Sequence, residues 1–517
     1  MNKRFLLSVL CAVVAICAAA QEFNPVPRAW KWLGDEQVIF TYDGTYSDDT
    51  AFAVNSRTGE KTVGVKSPAR YSALPIRPKG AVNLTYSPGS TKLAFTRDND
   101  LYVVDIESGV ETRLTFDGTD VIMNGYASWV YYEEIFGRAS RYRAFWWSPD
   151  SKKIGFYRFD NSQVPMFPIY SAFANPAAAA SQSQSPRVTD LALCGSLSET
   201  RYPKAGQTNP QVRIGIVDLT SECLSCPMRC EDAITWADFD PTLDQYFGIP
   251  FWGPDSQEFF IARMPRLQNT IDLYAVNVAD GSKRHVYNET YKTWLNWFDG
   301  VVFTDNGLYM AREFETGWQQ IYFLSYDGKT FRRLTDGPNW NVDIVRVDET
   351  KGDVYYTAKR DAVAKQALYK VDKKGVITAL TDPAFNATGI SFSPDGKYFV
   401  ASYSNMTTPT KVAIFPSSGK KLRQGSVVAD MQGPDYKASA YALPELVFIT
   451  TEDGFQLPGM IVYPKNFDES KKYPVHVDIY GGPNTPMVRD RWVAPNASNQ
   501  WYDSRSEERF SRNAETD

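Results

Sequence analysis

The feature that most constrains the fold of this chain is a turn that recurs along most of its 517 residues. An aromatic residue is followed by Ser-Pro-Asp-Gly or a close variant, and a new apolar run follows the turn. Clear copies lie at residues 86–89, 147–150, 252–255 and 392–396, and weaker copies lie at 303–307 and 347–352. From residue 252 onward the copies begin about 44 to 51 residues apart, which is the size of one repeat in a repeat-built fold.

Each repeat carries the chemistry of short strands. Residues 92–96, 100–105 and 112–115 are apolar or β-branched runs separated by turn residues, and the same order returns from residue 320 to 335. Units of about four strands predict an all-β propeller, whereas immunoglobulin-like domains would need about 100 residues each. We count residues 32–35 as a first unit and allow one degenerate unit between Pro186 and Asp238. The region then holds seven or eight blades.

Composition excludes several classes of protein. Hydrophobic residues make up 43% of the chain, which is enough for large packed cores and excludes a disordered chain. The formal net charge of -5, without a long basic run, argues against a nucleic-acid partner. His285 and His476 are the two histidines of the chain, so neither a histidine-rich metal site nor a complete catalytic triad is favoured. Both lie in apolar strand patterns, and we interpret them as structural.

The N-terminus has the pattern of a secretory signal. Lys3 and Arg4 precede an apolar run over residues 5–16, and small residues at 18–20 fit a cleavage site. We expect residues 1–20 to be a signal peptide and the protein to be exported to the periplasm or outside the cell. No other run is long enough to span a bilayer, so no membrane association is expected after cleavage.

Four cysteines follow the predicted signal peptide, and three of them are clustered. Their positions are Cys194, Cys223, Cys226 and Cys230. The cluster spacing is compatible with a metal site, but no histidine lies close by and disulfides persist in exported proteins. Disulfides or free thiols are therefore favoured over a metal, and no cofactor is expected.

One segment between strands carries a pair of acids. Trp129, Tyr132 and Phe136 are spaced as one face of a short helix, with Glu133 and Glu134 on its flank. Two adjacent carboxylates beside aromatic residues can hold one ammonium group by charge-assisted hydrogen bonds. The other interpretation, a solvated acidic helix face, stays open on the residues alone.

Beyond about residue 441 the pattern changes. Residues 446–492 indicate the opening strands of an α/β-hydrolase, with residues 475–479 as a buried strand that leads into a glycine-containing turn. No Gly-x-Ser-x-Gly nucleophile elbow occurs in the sequence, and residues 493–517 are polar without a strand pattern. We expect this chain to be catalytically inactive as given, and we hypothesise a truncated or frame-broken product.

Several motifs together resemble the dipeptidyl peptidase IV group of the prolyl oligopeptidase (S9) family of serine peptidases. They lie at residues 129–136, 146–150, 202–206, 209–210, 473–474 and 478–483. The resemblance implies an eight-bladed propeller at about residues 21–440, followed over 441–492 by the start of a hydrolase domain. It also implies removal of Xaa-Pro or Xaa-Ala dipeptides from peptides with a free N-terminus, and homodimers among full-length relatives.

The resemblance assigns roles to three residues. Glu133 and Glu134 would bind the substrate's α-ammonium, and the hydroxyl of Tyr480 would stabilise the oxyanion. Arg70 and Arg77 are uncommitted candidates for an arginine that contacts the substrate carbonyl. A second function class remains, in which an exported propeller uses the acidic pair to bind peptides or a surface partner without hydrolysis.

Overall fold

The computed structural model describes residues 22–44, 50–65, 78–138, 142–171, 196–221, 233–421, 423–479 and 486–494. The chain divides into two compact units. The first unit contains residues 1–70, 311–322 and 333–517, and the second contains residues 71–310 and 323–332. The predicted signal peptide and the four cysteines lie outside the described residues.

The second unit is built from antiparallel sheets. Its first sheet contains β5 (Val82–Tyr86), β6 (Lys92–Arg97), β7 (Asp100–Asp105) and β8 (Glu111–Arg113). The next sheet joins β9 (Ile122–Asn124), β10 (Phe145–Trp147), β11 (Lys153–Asp160), β14 (Gln211–Asp218) and β15 (Ile234–Trp236), and β12 (Met166–Ser171) and β13 (Ser196–Arg201) form a separate hairpin. A further sheet contains β16 (Gln245–Phe247), β17 (Phe251–Trp252), β18 (Glu258–Pro265), β19 (Thr270–Asn277) and β20 (Lys283–Thr290).

The first unit repeats the same plan. Its sheets are β1 (Ala29–Trp32), β2 (Gln37–Thr41), β3 (Phe52–Asn55) and β4 (Lys61–Val63); β25 (Trp340–Asp348), β26 (Asp353–Lys359), β27 (Ala367–Val371) and β28 (Ile377–Ala379); and β29 (Asn386–Phe392), β30 (Tyr398–Asn405), β31 (Thr408–Pro416) and β32 (Ser426–Asp430). A short 3₁₀ helix (Ala438–Ala440) precedes the hairpin of β33 (Glu445–Thr450) and β34 (Gln456–Ile461).

One more four-stranded sheet is formed by residues 302–333. It contains β21 (Val302–Phe303), β22 (Gly307–Arg312), β23 (Gln320–Ser325) and β24 (Phe331–Arg333). The strand order 1-2-3-4 along the chain recurs in five of the sheets, so most repeats form one antiparallel meander each. The strands predicted in the repeats beginning near residues 92 and 320 are confirmed.

The Ser-Pro-Asp turn fixes the connection between the first and second strands of a repeat. In one copy Ser148 Oγ donates to Asp150 Oδ1 at 2.6 Å, and in another Ser393 Oγ donates to Asp395 Oδ1 at 2.7 Å. The backbone N–H two residues beyond each aspartate also donates to that aspartate. The short side chains therefore replace the backbone bonds that a tight turn leaves unmade.

Tryptophan side chains join neighbouring repeats. In the second unit Trp147 Nε1 donates to the carbonyl of Thr85 at 3.0 Å, and Trp252 Nε1 donates to the carbonyl of Trp146 at 3.1 Å. In the first unit Trp32 Nε1 donates to the carbonyl of Ser391 at 3.1 Å, although 359 residues separate them. The aromatic residue that precedes the turn thus attaches its own sheet to a strand of a neighbouring sheet.

We expect the Asp395 turn to lose its contribution to stability in acid. Burial raises the pKa of Asp395, but hydrogen bonds from Lys397 and Ser393 outweigh it and lower the pKa from 3.8 to about 2. A lowered folded-state pKa stabilises the native state above the unfolded value, and this effect is lost as pH falls from about 4 toward 2. Asp395→Asn should therefore melt below the wild-type protein at pH 7, with the difference shrinking in acid. An equal difference in melting temperature at pH 7 and pH 2.5 would contradict this.

Two predictions about the sheets are wrong. No separate repeat forms from the described residues between Pro186 and Asp238, because β14 and β15 complete the sheet begun by β10 and β11. Residues 475–479 are not a buried strand: Val475, Val477 and Ile479 are 83%, 71% and 78% exposed. A strand needs a neighbour for its backbone hydrogen bonds, and no described strand pairs with this segment. His476 is accordingly exposed rather than in a core.

Among the described residues, no helix has both the length and the apolar character required to cross a bilayer.

Candidate functional site

The acidic pair lies on a short helix, α1 (Tyr131–Ile135), that follows β9. The helix predicted here is present, and it is wound as a π-helix. The N–H of Phe136 donates to the carbonyl of Tyr131, five residues back, at 2.7 Å. Single π turns are rare and frequently occur at functional sites, because the wider turn redirects the side chains that it carries.

The predicted helix face is reproduced in part: Tyr132 and Phe136 pack against one hydrophobic cluster, to which Trp129 does not belong. Trp129, Tyr132 and Phe136 contact three different partners: Trp129 meets Tyr202 edge-on at 6.0 Å, Tyr132 stacks on Tyr142 at 3.9 Å, and Phe136 meets Trp146 edge-on at 5.8 Å. Within α1 the buried residues are Tyr131 and Ile135. The wide turn rotates Tyr131, rather than Tyr132, toward the core.

Tyr131 attaches the helix to the hydrophobic core of the second unit. Its side chain is fully buried, its ring lies 4.8 Å from that of Phe159, and its hydroxyl accepts the backbone N–H of Phe247 at 3.1 Å. Burial raises the pKa of Tyr131 well above its usual value, so the phenol stays neutral. One side chain thus attaches the helix to both β11 and β16.

A buried aspartate fixes the strand that leads into the helix. Asp100 is 0% exposed, and its Oδ1 accepts hydrogen bonds from Thr115 Oγ1 at 2.6 Å and Asn124 Nδ2 at 3.1 Å. Its Oδ2 pairs with the guanidinium of Arg113. A Cβ at Gly118 would lie 2.8 Å from Asp100 Cγ, so glycine is required there for close approach. Asn124 ends β9, so this network positions the start of the acidic segment.

The two glutamates differ in their surroundings. The side chain of Glu133 is 21% exposed and pairs with the guanidinium of Arg138, whose own side chain is 66% exposed. Glu134 is exposed and makes no ion pair among the described residues. Gly137 and Arg138 both have left-handed backbone, with φ of 58° and 63°, and this turn brings Arg138 back to the helix. Glu133 is therefore a carboxylate placed to receive a cation.

Aromatic side chains flank the acids. Tyr142 stacks on both Tyr132 and Tyr126, at 3.9 and 5.1 Å. Burial and the neighbouring phenols raise the pKa of Tyr142 to about 12, so it remains neutral over the physiological range. Tyr202, which directly follows β13, packs against the rings of Trp129 and Phe167. Glu133, at 21% exposure, is therefore partly removed from water, which strengthens its charge pairs, whereas Glu134 is exposed.

The other sequence candidates do not join this site in the described residues. Tyr480, Arg70 and Arg77 lie outside them. His285 is in β20, where its Nε2 lies 3.1 Å from Asp272 Oδ1. Sequence reasoning missed Arg138 and Tyr142. Gly137 was the available signal for Arg138, since glycine after a helix commonly takes the left-handed form that turns the chain back.

Replacing Arg138 with alanine should tighten the binding of a small primary amine at this site. The arginine is exposed and must yield Glu133 to an incoming cation, and exposed ion pairs contribute about 0–1 kcal/mol. We expect the Kd for a short peptide with a free amine to fall up to about five-fold, measured by calorimetry at low salt. Lys152→Ala, at an exposed turn, is the control. Weaker binding in Arg138→Ala would show instead that the arginine orients Glu133 productively.

The repeated antiparallel sheets fit a β-propeller protein, and the acidic helix is its candidate functional site. Its sequence matches the family described as "Dipeptidyl peptidase IV (DPP IV) N-terminal region" over residues 51–410. The match covers well over half of the chain, and the chain belongs to this dipeptidyl peptidase IV-like family of S9 peptidases.

Individual relatives agree with the family match. The chain is 28% identical to a probable dipeptidyl peptidase 4 of Aspergillus flavus, over 82% of this chain and 53% of the relative. It is 30% identical to dipeptidyl peptidase 4 of Arthroderma otae, over 79% of this chain and 51% of the relative. The chain therefore spans about half the length of the curated relatives it matches.

A solved structure supports the fold. The crystal structure of Porphyromonas gingivalis dipeptidyl peptidase 4 superposes with a TM-score of 0.63 at 22% identity. The match covers 92% of this chain and 61% of that chain. At this level of identity the similarity concerns the fold.

Proposed function

We propose that the chain is the peptide-binding portion of a secreted dipeptidyl peptidase IV-type serine exopeptidase. Such an enzyme releases Xaa-Pro or Xaa-Ala dipeptides from the N-terminus of peptides by acyl transfer. The family match and the names of the relatives support the reaction class. The exported location, the preference for penultimate proline or alanine, and a homodimer of the full-length protein belong to this proposal.

The observation that carries the proposal is the ion pair between Glu133 of the π-helix and Arg138, which follows the helix. The pair supports a role for Glu133 in binding a cation, and a second carboxylate, Glu134, is on the next residue. A substrate α-ammonium has three N–H donors, and two carboxylates can accept them as charge-assisted hydrogen bonds. Glu133 is 21% exposed, and this partial burial strengthens the attraction.

Anchoring the ammonium would determine where the peptide is cut. A fixed amine places the second peptide bond at a fixed distance from Glu133 and Glu134, so the site selects dipeptides by length. In the proposed hydrolase domain Tyr480 would donate its hydroxyl to the oxyanion that forms at the scissile carbonyl. Because the sequence contains no nucleophile elbow, we expect this chain to bind such peptides without cleaving them.

The domain boundaries form part of the proposal. We assign residues 21–440 to the propeller and 441–492 to the start of the hydrolase domain, after a signal peptide at 1–20. Seven sheets of four or five strands among the described residues support seven blades, one fewer than the family resemblance implies. The β33–β34 hairpin supports the assigned start of the hydrolase domain.

A binding experiment tests the ammonium role. A glycyl-prolyl peptide should bind at least about ten-fold more tightly than its N-acetylated form, because acetylation removes the charge that Glu133 and Glu134 recognise. In the double variant Glu133→Gln, Glu134→Gln the free peptide should bind no better than the acetylated one. Glu107→Gln, at an exposed acid in another turn, should retain the difference. Calorimetry on the folded chain gives both affinities, and equal binding of the two peptides to the wild-type protein would refute the proposal.

A further inference from the structure

The second unit contains a cavity whose lining includes no residue of the acidic helix. Its volume is about 440 Å³. It is lined by residues of or next to β5, β10, β17 and β21, which belong to four different sheets. The apolar lining is mostly aromatic: Phe145, Trp146, Trp147, Phe251, Trp252 and Phe303. A cavity of this size with aromatic walls is typical of a small-molecule site.

One cation lies in this wall. Arg143 lies two residues before the start of β10, and its Nη1 donates to Thr85 Oγ1 at 3.3 Å. Its Nε is buried and has no hydrogen-bond partner among the described residues. Arg143 also makes no ion pair with any carboxylate in the described part of the chain. Burial lowers the pKa of Arg143, and no neighbouring acid opposes this effect.

Two other half-buried arginines have the counter-charge that Arg143 lacks: Arg158 pairs with Asp117 and Arg263 with Asp272. A guanidinium removed from water without a counter-charge is costly, and its planar fork matches a carboxylate. Tyr86, another wall residue, also has a buried hydroxyl without a partner. The wall thus combines unsatisfied polar groups with apolar surface.

We propose that this cavity binds a small carboxylate that carries an aromatic or similarly flat apolar group, with Arg143 as the carboxylate receptor. The carboxylate supplies the counter-charge that the protein lacks there, and the flat group lies against the tryptophan and phenylalanine rings. The same chemistry is offered by a free aromatic acid and by the C-terminal end of a peptide. The inference does not depend on the ammonium site.

The test compares acids with their amides on the whole chain. The first pair of probes is a small free acid, 3-phenylpropionate, and its amide, 3-phenylpropionamide. The second pair is the peptide N-acetyl-glycyl-phenylalanine and its C-terminal amide. The blocked amine of these peptides cannot bind to Glu133 or Glu134. Tryptophan fluorescence reports binding because Trp146, Trp147 and Trp252 line the cavity. We expect at least one acid to bind about ten-fold or more tightly than its amide. The acid–amide pair that shows this difference identifies whether the carboxylate comes from a small aromatic acid or from a peptide C-terminus.

Variants assign the binding to Arg143. Arg143→Met should reduce the affinity for the acid to that for the amide, and Arg143→Lys should retain part of the preference. Arg57→Met, at an exposed arginine already paired with Glu36, should leave the preference unchanged. If Arg143→Met does not fold, the wild-type comparison still decides. Equal binding of acid and amide, no binding of either, or an unchanged preference in Arg143→Met would overturn the proposal.

Discussion

Replacing Tyr131 with alanine should destabilise the second unit by about 3–5 kcal/mol, because the change removes a fully buried aromatic ring and leaves a cavity. It also leaves the N–H of Phe247 without the hydroxyl that accepts it at 3.1 Å. The helix that carries Glu133 and Glu134 would lose its attachment to the core. We expect both the loss of stability and the loss of ammonium binding to be large.

The two effects can be separated experimentally. Tyr131→Phe keeps the ring and removes only the acceptor, so it should cost about 1–3 kcal/mol. Hydrogen exchange of residues 126–138 measures local opening, and chemical denaturation measures the stability of the unit. Tyr170→Ala, at a side chain that is 71% exposed, is the matched control and should have little effect. If exchange of the helix is unchanged in Tyr131→Ala, Tyr131 is not its anchor.

Asp100→Ala should be the second severe change, with an expected cost of about 3–5 kcal/mol. It would leave the guanidinium of Arg113 without its carboxylate and would remove an acceptor from Thr115 and from Asn124. Because Asn124 ends β9, the damage should extend to the start of the acidic segment.

The size of this effect distinguishes the network from a surface pair. Asp100→Asn retains the shape and should cost less, about 1–3 kcal/mol. Asp120→Ala removes an exposed acid close by and should be nearly neutral. Denaturation curves and hydrogen exchange at residues 122–126 provide the measurement. A cost below about 1 kcal/mol for Asp100→Ala would show that the network contributes little to stability.

The repeats could be predicted from sequence because they depend on local chemistry. The turns at residues 147–150 and 392–396 are held by hydrogen bonds between short side chains two residues apart. The local amino-acid sequence therefore determines the turn geometry. The predictions failed where strand pairing depends on residues that are distant in sequence. β14 and β15 joined an existing sheet across a long insertion, and nothing in their own residues identified that partner.

The candidate site shows the same division. The acidic pair and a short helix could be predicted from the sequence. The π turn could not, because it arises from the contacts that Tyr131 makes with Phe159 and Phe247, residues that are distant in sequence. The pairing of Arg138 with Glu133 depends on two successive left-handed residues, and arginine seldom adopts that conformation.

The bond from Trp32 to Ser391 has a consequence for biosynthesis. In the first unit, the sheet of β1–β4 shares a hydrophobic cluster with the sheet of β29–β32, through Val38, Phe40, Phe52, Val54, Val400, Val412 and Ile414. A ribosome that adds about 5–20 residues per second delivers Ser391 about 20 to 70 seconds after Trp32. The first of these two sheets to be translated therefore waits for its packing partner, and in that interval the apolar face that the partner covers stays exposed.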